Sequence, residues 1–212
     1  MILLTVLILD HLLTRAGSPP ICFSLLAIPC AAMLDWRRTR HRKLRAGYVL
    51  LYCYLLFGLL PWPQAPMTDA AVVIHKERRE LLYQGKSMRI GLGNHPQGSK
   101  EEEGDGKTPE GFYRICSKAS DSPFGHWLGL DYPNRRDAWN GRLHGKVSWL
   151  ELTRWNWFWR SEPPQTTRLG GQIGIHGGGS GKNWTLGCIA LDELDIKELF
   201  QGLPFGAVVE VR

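Results

Sequence analysis

No stretch of the 212 residues repeats at a fixed period, which argues against a solenoid. Cysteine is too scarce for a disulfide framework. Three of the five, Cys22, Cys30 and Cys53, sit in apolar stretches where Cys behaves as a small buried hydrophobe, leaving Cys116 and Cys188 for the remainder. Such an isolated pair forms a disulfide in some exported proteins, and that is the bland reading of both. Excess charge is also nearly absent from most of the chain. Of the net +6, residues 1–65 hold a surplus of five, with Arg15, Arg37, Arg38, Arg40, Arg42, Lys43 and Arg45 set against Asp10 and Asp35. A near-neutral body with a basic cluster beside apolar segments, and no recognised nucleic-acid motif, reads as membrane topology, so nucleic acid is not expected as a partner.

The composition is that of a folded protein. Hydrophobic residues make up 43% and nine are Trp, with charges of both signs interspersed. A chain of this length holds one domain of ordinary size plus accessories. Residues 46–62 (AGYVLLYCYLLFGLLPW) carry no charge and follow the basic run at residues 37–45. That is the order of a signal-anchor or signal peptide with its basic flank in the cytoplasm. The segment is short for a spanning helix, which needs about 20 residues, so cleavage near residue 65 is the alternative. Upstream apolar sequence either adds a second span or precedes a true start at Met33. The N-terminal region is therefore taken as residues 1–65, and the folded domain as residues 68–212.

Within that domain β-branched and apolar runs alternate with polar turns. Strands are expected at residues 70–74, 81–83, 88–92, 111–116, 128–131, 172–175 and 207–211. A helix is expected only at residues 192–200, with Asp192 as its cap and Leu194, Leu199 and Phe200 on one apolar side. The fold class is thus mainly β, a sandwich-like mixed sheet with short helices.

Two segments carry the chemistry. In Ile173-Gly174-Ile175-His176-Gly177-Gly178-Gly179 a strand delivers a His into a glycine run, with backbone close by and little side-chain bulk. In Thr185-Leu186-Gly187-Cys188-Ile189-Ala190 a Gly directly before the Cys permits a sharp turn that aims a backbone N–H into open space. Twelve residues separate His176 from Cys188, enough for a loop that returns to one site. A free Cys has a pKa near 8.5, so a Cys188 thiolate at neutral pH needs a neighbouring imidazole or positive potential. A structural His and a buried or disulfide-bonded Cys188 is the competing reading. A phosphate loop fails, because its first Gly falls on His176 and its Ser/Thr position on Asn183. A zinc site fails because no regular array of further ligands surrounds the pair, and His95, His126 and His144 are dispersed.

The order of these segments resembles the L,D-transpeptidase catalytic domain, the YkuD-type family, whose signature is a strand ending in His-Gly followed by Ser/Thr-x-Gly-Cys. Three further blocks extend the resemblance over about residues 70–212: Gly91-Leu92-Gly93-Asn94; Gly104-Asp105-Gly106-Lys107-Thr108-Pro109-Glu110-Gly111-Phe112-Tyr113-Arg114-Ile115; and Tyr132-Pro133-Asn134 with Asp137. The resemblance implies a cysteine acyl-transferase acting on peptidoglycan stem peptides, with Cys188 as nucleophile and His176 as proton acceptor and donor. Gly187, Thr185 and Gly177 would position substrate or oxyanion, and no metal or organic cofactor is required. Many family members have Arg two residues after the nucleophile, where this chain has Ala190. Arg168 or Lys182 would have to hold a substrate carboxylate instead, and a hydrolase using the same site is the alternative activity. A non-catalytic envelope-binding module is the second. Asp105 with Glu110 as a glycosidase acid/base pair is the runner-up role for a block read as scaffold.

Residues 139–160 form a Trp-rich insertion with Trp139, Trp149, Trp155, Trp157 and Trp159. It reads as a packed insertion, as a sugar-stacking lid or as a membrane-facing belt. The positive-inside rule places the domain outside the cytoplasmic membrane, and a reporter active only after export, fused after Arg212, should be active in cells. Neutralising Arg37, Arg38, Arg40, Arg42, Lys43 and Arg45 together should scramble that orientation. Activity only of a cytoplasmic reporter would overturn it.

Overall fold

A computed structural model describes residues 69–157 and 162–212. The apolar segments, the basic cluster and Trp159 lie outside these residues. Among the described residues no helix is long and apolar enough to cross a membrane. The chain divides into two compact units, the described part of one being residues 69–134 and 162–212, and of the other residues 135–157.

The first unit is built on an eight-stranded mixed sheet. Its strands are β1 (Val72–His75), β2 (Glu80–Tyr83), β3 (Lys86–Arg89), β4 (Gly111–Ser122), β5 (Gly125–Leu130), β6 (Gly174–His176), β7 (Ile189–Ala190) and β8 (Val208–Val211), in the order β3-β2-β1-β8-β4-β5-β6-β7. The pairs β1–β8 and β6–β7 are parallel and the rest antiparallel. In β1 alternate residues Val72 and Ile74 are fully buried, as a period of two requires. The β2–β3 hairpin closes through Gln84 and Gly85, both at positive φ (47° and 78°), which is the backbone of a two-residue type I′ turn.

β4 is long enough to serve two neighbours: Gly111 to Arg114 pair with β8, and residues from Ile115 onward pair with β5. The two ends of the strand order also meet. Gly91, just past β3, exchanges both backbone hydrogen bonds with Ala190 of β7 at 2.9 Å, and Leu92 O accepts from Trp184 N at 3.0 Å. The sheet therefore curls onto itself around a core that includes Leu81, Leu128, Ile175, Ile189, Leu191 and Val209.

α3 (Glu193–Gly202) packs along β5. Two expectations for it need correction. Asp192 occupies the N-cap position but its carboxylate makes no cap hydrogen bond; it accepts instead from Ser180 N and Oγ, both at 3.0 Å. Leu194 is 82% exposed, and the buried stripe is Ile196, Leu199 and Leu203.

The second unit contains α1 (Arg135–Leu143) and α2 (Trp149–Trp157), neither of which was expected. α2 starts with a capping box: Glu151 N donates to Ser148 Oγ at 3.1 Å while Ser148 N donates to Glu151 Oε2 at 3.0 Å. Trp149 and Trp155 are buried, Trp149 meeting Trp139 edge-on at 6.2 Å and the Arg142 guanidinium at 4.6 Å. These two indoles pack inside and offer no exposed platform, which favours the packed-insertion reading for them. If the α3 stripe is as described, Leu199→Ala should cost about 2–5 kcal/mol in urea unfolding. Leu194→Ala should stay within about 0.5 kcal/mol, and equal losses at the two positions would contradict this packing.

Candidate active site

β6 ends at His176, and β7 begins one residue after Cys188. The parallel register pairs Ile175 with Ile189 and His176 with Ala190. Carried back two residues it sets Cys188 opposite Gly174, so Cys188 and His176 point to the same face of the sheet. With strands about 4.8 Å apart and a rise of about 3.3 Å per residue, their Cα atoms are roughly 8 Å apart.

The imidazole is fixed in one tautomer. His176 Nδ1 lies 2.6 Å from the Gly177 carbonyl oxygen. That oxygen only accepts, so Nδ1 carries the proton and Nε2 keeps its lone pair. Around the ring stand Trp127, stacked at 5.9 Å and 13°, Phe124 at 4.7 Å and Trp184 at 5.6 Å. Trp127 fits because position 174 is Gly, where an added Cβ would lie 2.7 Å from its indole. Burial lowers the His176 pKa below its ordinary value, while the Gly177 hydrogen bond and the Glu193 carboxylate oppose the shift. The ring is therefore neutral at neutral pH and available as a base.

Cys188 is half-buried, and its thiol donates to the Gln172 carbonyl at 3.4 Å. Burial pushes the thiol up to about 11, partly offset by the Gly174 N–H and the Lys100 charge. This departs from the expected resting thiolate. The resting pair is neutral thiol and neutral imidazole, so a proton would have to leave sulfur as the sulfur attacks.

Thr185 is buried and knits the approach to Cys188: its Oγ1 donates to Cys188 O at 2.7 Å and accepts from Gly187 N at 3.2 Å. The Gly187 N–H is thus already taken, which corrects its expected oxyanion role and leaves the Cys188 N–H as the donor of interest. Gly187 itself is obligatory, with φ at 137° and any Cβ only 2.7 Å from the Lys107 carbonyl oxygen. Gly177 is confined by the Glu193 carboxylate, which accepts from Gly178 N at 2.9 Å, and serves the site through its carbonyl.

Residues 69–211 match the profile of the L,D-transpeptidase catalytic domain, YkuD. The chain belongs to this family. Among solved structures it is similar to an L,D-transpeptidase from Xylanimonas cellulosilytica, at 15% identity over 71% of this chain and 65% of that one, with a TM-score of 0.38. It is also similar to the helical cell shape determining protein of Campylobacter jejuni (21% identity, 76% and 54% coverage, TM-score 0.44) and to an L,D-transpeptidase of Enterococcus faecium (16%, 68% and 50%, TM-score 0.41). The chain spans between 50% and 65% of the length of these relatives. No curated protein matches it.

Other residues anticipated for an L,D-transpeptidase site are placed as follows. Ala190, where many members have Arg, is fully buried in β7. Lys182 is exposed in the loop between β6 and β7, and Arg168 is half-buried, its carbonyl accepting from Glu103 N at 2.9 Å. Asp105 and Glu110 do not form an acid/base pair, since each is matched to its own lysine, Lys100 at 2.7 Å and Lys76 at 2.8 Å. Tyr132 is buried with its hydroxyl on Leu169 O at 2.8 Å, and Asn134 Nδ2 donates to Phe112 O at 3.1 Å, so this block is structural. Cys116 and Cys188 are both free thiols. Among the described residues no group of three or more His, Cys, Asp or Glu is placed to hold a metal ion. The aromatic wall, Gln172 and Lys100 carried no signal in the sequence beyond the adjacency of Trp184 to Thr185.

If His176 is the base, its replacement by Ala should slow alkylation of Cys188 by iodoacetamide at neutral pH by roughly a hundredfold. In the unaltered protein the acid limb of that reaction should lie below the ordinary imidazole value of 6.5, because the His176 pKa is lowered and only its neutral form accepts a proton. Equal rates in both proteins from about pH 5 to 9 would remove His176 from this role.

Proposed function

We propose that this L,D-transpeptidase-family domain cleaves and re-forms peptide bonds of peptidoglycan stem peptides through a thioester on Cys188. The observation that carries the reading is the single-tautomer His176 on the sheet face that also bears Cys188. In the first half-reaction the Cys188 proton passes to His176 Nε2 as sulfur bonds to the carbonyl carbon at the third residue of a stem, commonly diaminopimelate. The Cys188 N–H faces the developing oxyanion, and collapse breaks the C–N bond as His176 returns the proton to the departing D-alanine amine.

In the second half-reaction an amine of another stem, or water, attacks the thioester, gives its proton to His176 and restores the thiol. Because Ala190 stands where many family members carry Arg, water is the alternative acceptor, which would make the domain an L,D-carboxypeptidase or amidase-type hydrolase. The domain acts outside the cytoplasmic membrane, held there by the apolar segment at residues 46–62 or released by cleavage near residue 65.

Incubation of the full chain with purified tetrapeptide muropeptides, followed by mass spectrometry, tests this. Loss of terminal D-alanine with joined stems indicates transpeptidation, and loss without joining indicates hydrolysis. Either activity should vanish in Cys188→Ala. Unaltered envelope function of that variant in cells would instead support a non-catalytic binding module.

A further inference from the structure

Lys100 is 8% exposed, an unusual place for an ammonium. Its Nζ donates to Asp105 Oδ1 at 2.7 Å and to the Glu102 carbonyl at 2.9 Å. Asp105 is held in turn by the N–H groups of Glu101, Glu102 and Lys107 at 2.8, 3.0 and 3.0 Å. The Lys100 stem runs alongside the nucleophile loop: its Cδ lies 3.7 Å from where a Cβ on Gly187 would stand, and its Cε 3.3 Å from the same point on Gly170. The aliphatic stem of Lys100, with its ammonium held at the far end by Asp105, therefore packs beside the residue that precedes Cys188.

We propose that Lys100 is a positioning residue of the Cys188 site, its ammonium held by Asp105 so that positive charge faces the sulfur as the sulfur becomes anionic. This rests on the acyl-transfer reading above. The other groups around Cys188 are assigned elsewhere. His176 takes the proton, the Gln172 carbonyl accepts the thiol, and the Gly174 N–H points to sulfur. Lys107 brings only its carbonyl to Gly187, while its Nζ lies 3.8 Å from the position of a Cβ on Gly98. The Lys100 charge is the cationic contribution that lowers the Cys188 thiol against its burial.

Lys76, the other buried lysine among the described residues, shows what a purely structural one looks like. All three of its N–H donors are used, on Gly98 O, Thr108 O and Glu110 Oε1, and it is the block at residues 98–110 that it fastens.

The test is the pH profile of Cys188 alkylation in the full chain, read at that residue by mass spectrometry. The variants are Lys100→Met, Lys100→Arg and the double variant Lys100→Met with Asp105→Asn. The double variant matters because Lys100→Met alone leaves a buried carboxylate without its partner, which destabilises folds, whereas removing both charges restores neutrality. Lys100→Met should move the thiol titration up by about one pH unit and slow alkylation near neutral pH about tenfold. Lys100→Arg should return the profile toward that of the unaltered protein. The double variant should unfold as cooperatively as the unaltered protein yet keep the upward shift. A double variant that regains both the fold and the original profile would reduce the pair to a staple and overturn the proposal, as would an unchanged profile in Lys100→Met. The alkylation readout involves no stem peptide. An unaltered protein inert toward muropeptides but showing the Lys100 shift would sink the acyl-transfer reading alone.

Discussion

Two pairs of residues in parallel register, Ile175 with Ile189 and His176 with Ala190, decide where His176 and Cys188 stand relative to one another. A parallel pair keeps partner side chains on one face, so a shift of one residue would turn Cys188 away from His176. The register is held from both sides. Fully buried Ile175 and Ile189 fix it in the core, and the exchange of hydrogen bonds between Ala190 and Gly91 fixes the outer edge of β7. A two-residue strand has little stability of its own, so neighbours must supply its order. That role falls to Leu92, Thr185 and Asn183, which tie the loop between His176 and Cys188 back to the segment after β3.

The same economy appears in the block at residues 98–110, which has no regular secondary structure. Its shape comes from two buried lysines and from Asp105, whose carboxylate, held well below the usual range at about 2, accepts three backbone N–H groups and one ammonium. Desolvation opposes the ionised form there and the four donors outweigh it. An irregular segment thereby becomes a rigid wall beside Gly187, whose absent Cβ allows the Lys107 carbonyl to approach.

What the sequence discloses and what it hides divide along the distance over which each feature is determined. Strands with a clear period of two, such as Val72–His75, Glu80–Tyr83 and Val208–Val211, were legible because burial of alternate residues is a local pattern. The positions of His176 and Cys188 were legible through glycines whose need is also local. Trp127 and Lys100 were not, since Trp127 reaches the site only through the β5–β6 pairing and Lys100 through a loop, 88 residues upstream of Cys188, a span no periodicity reports. Leu194 was assigned to the wrong side of α3 because Leu194, Leu199 and Phe200 do not share one helical face, while Ile196, Leu199 and Leu203 do. The helices α1 and α2 are masked in the sequence by their aromatic content, although Ser148 three residues before Glu151 is the mark of a capping box.

β8, the last strand in the described chain, lies in the interior of the strand order, between β1 and β4. A chain still emerging from the ribosome or a translocation channel has β1–β2–β3 on one side and β4–β5–β6–β7 on the other, joined only by the short contacts of Gly91 with Ala190 and Gly93 with Thr185. Long-range closure of this kind makes folding slow compared with hairpin formation. It also makes folding vectorially incomplete until residues 208–211 are free, so the sheet that carries His176 and Cys188 is assembled whole and late. Until then a nascent chain leaves the edges of β1 and β4 unpaired.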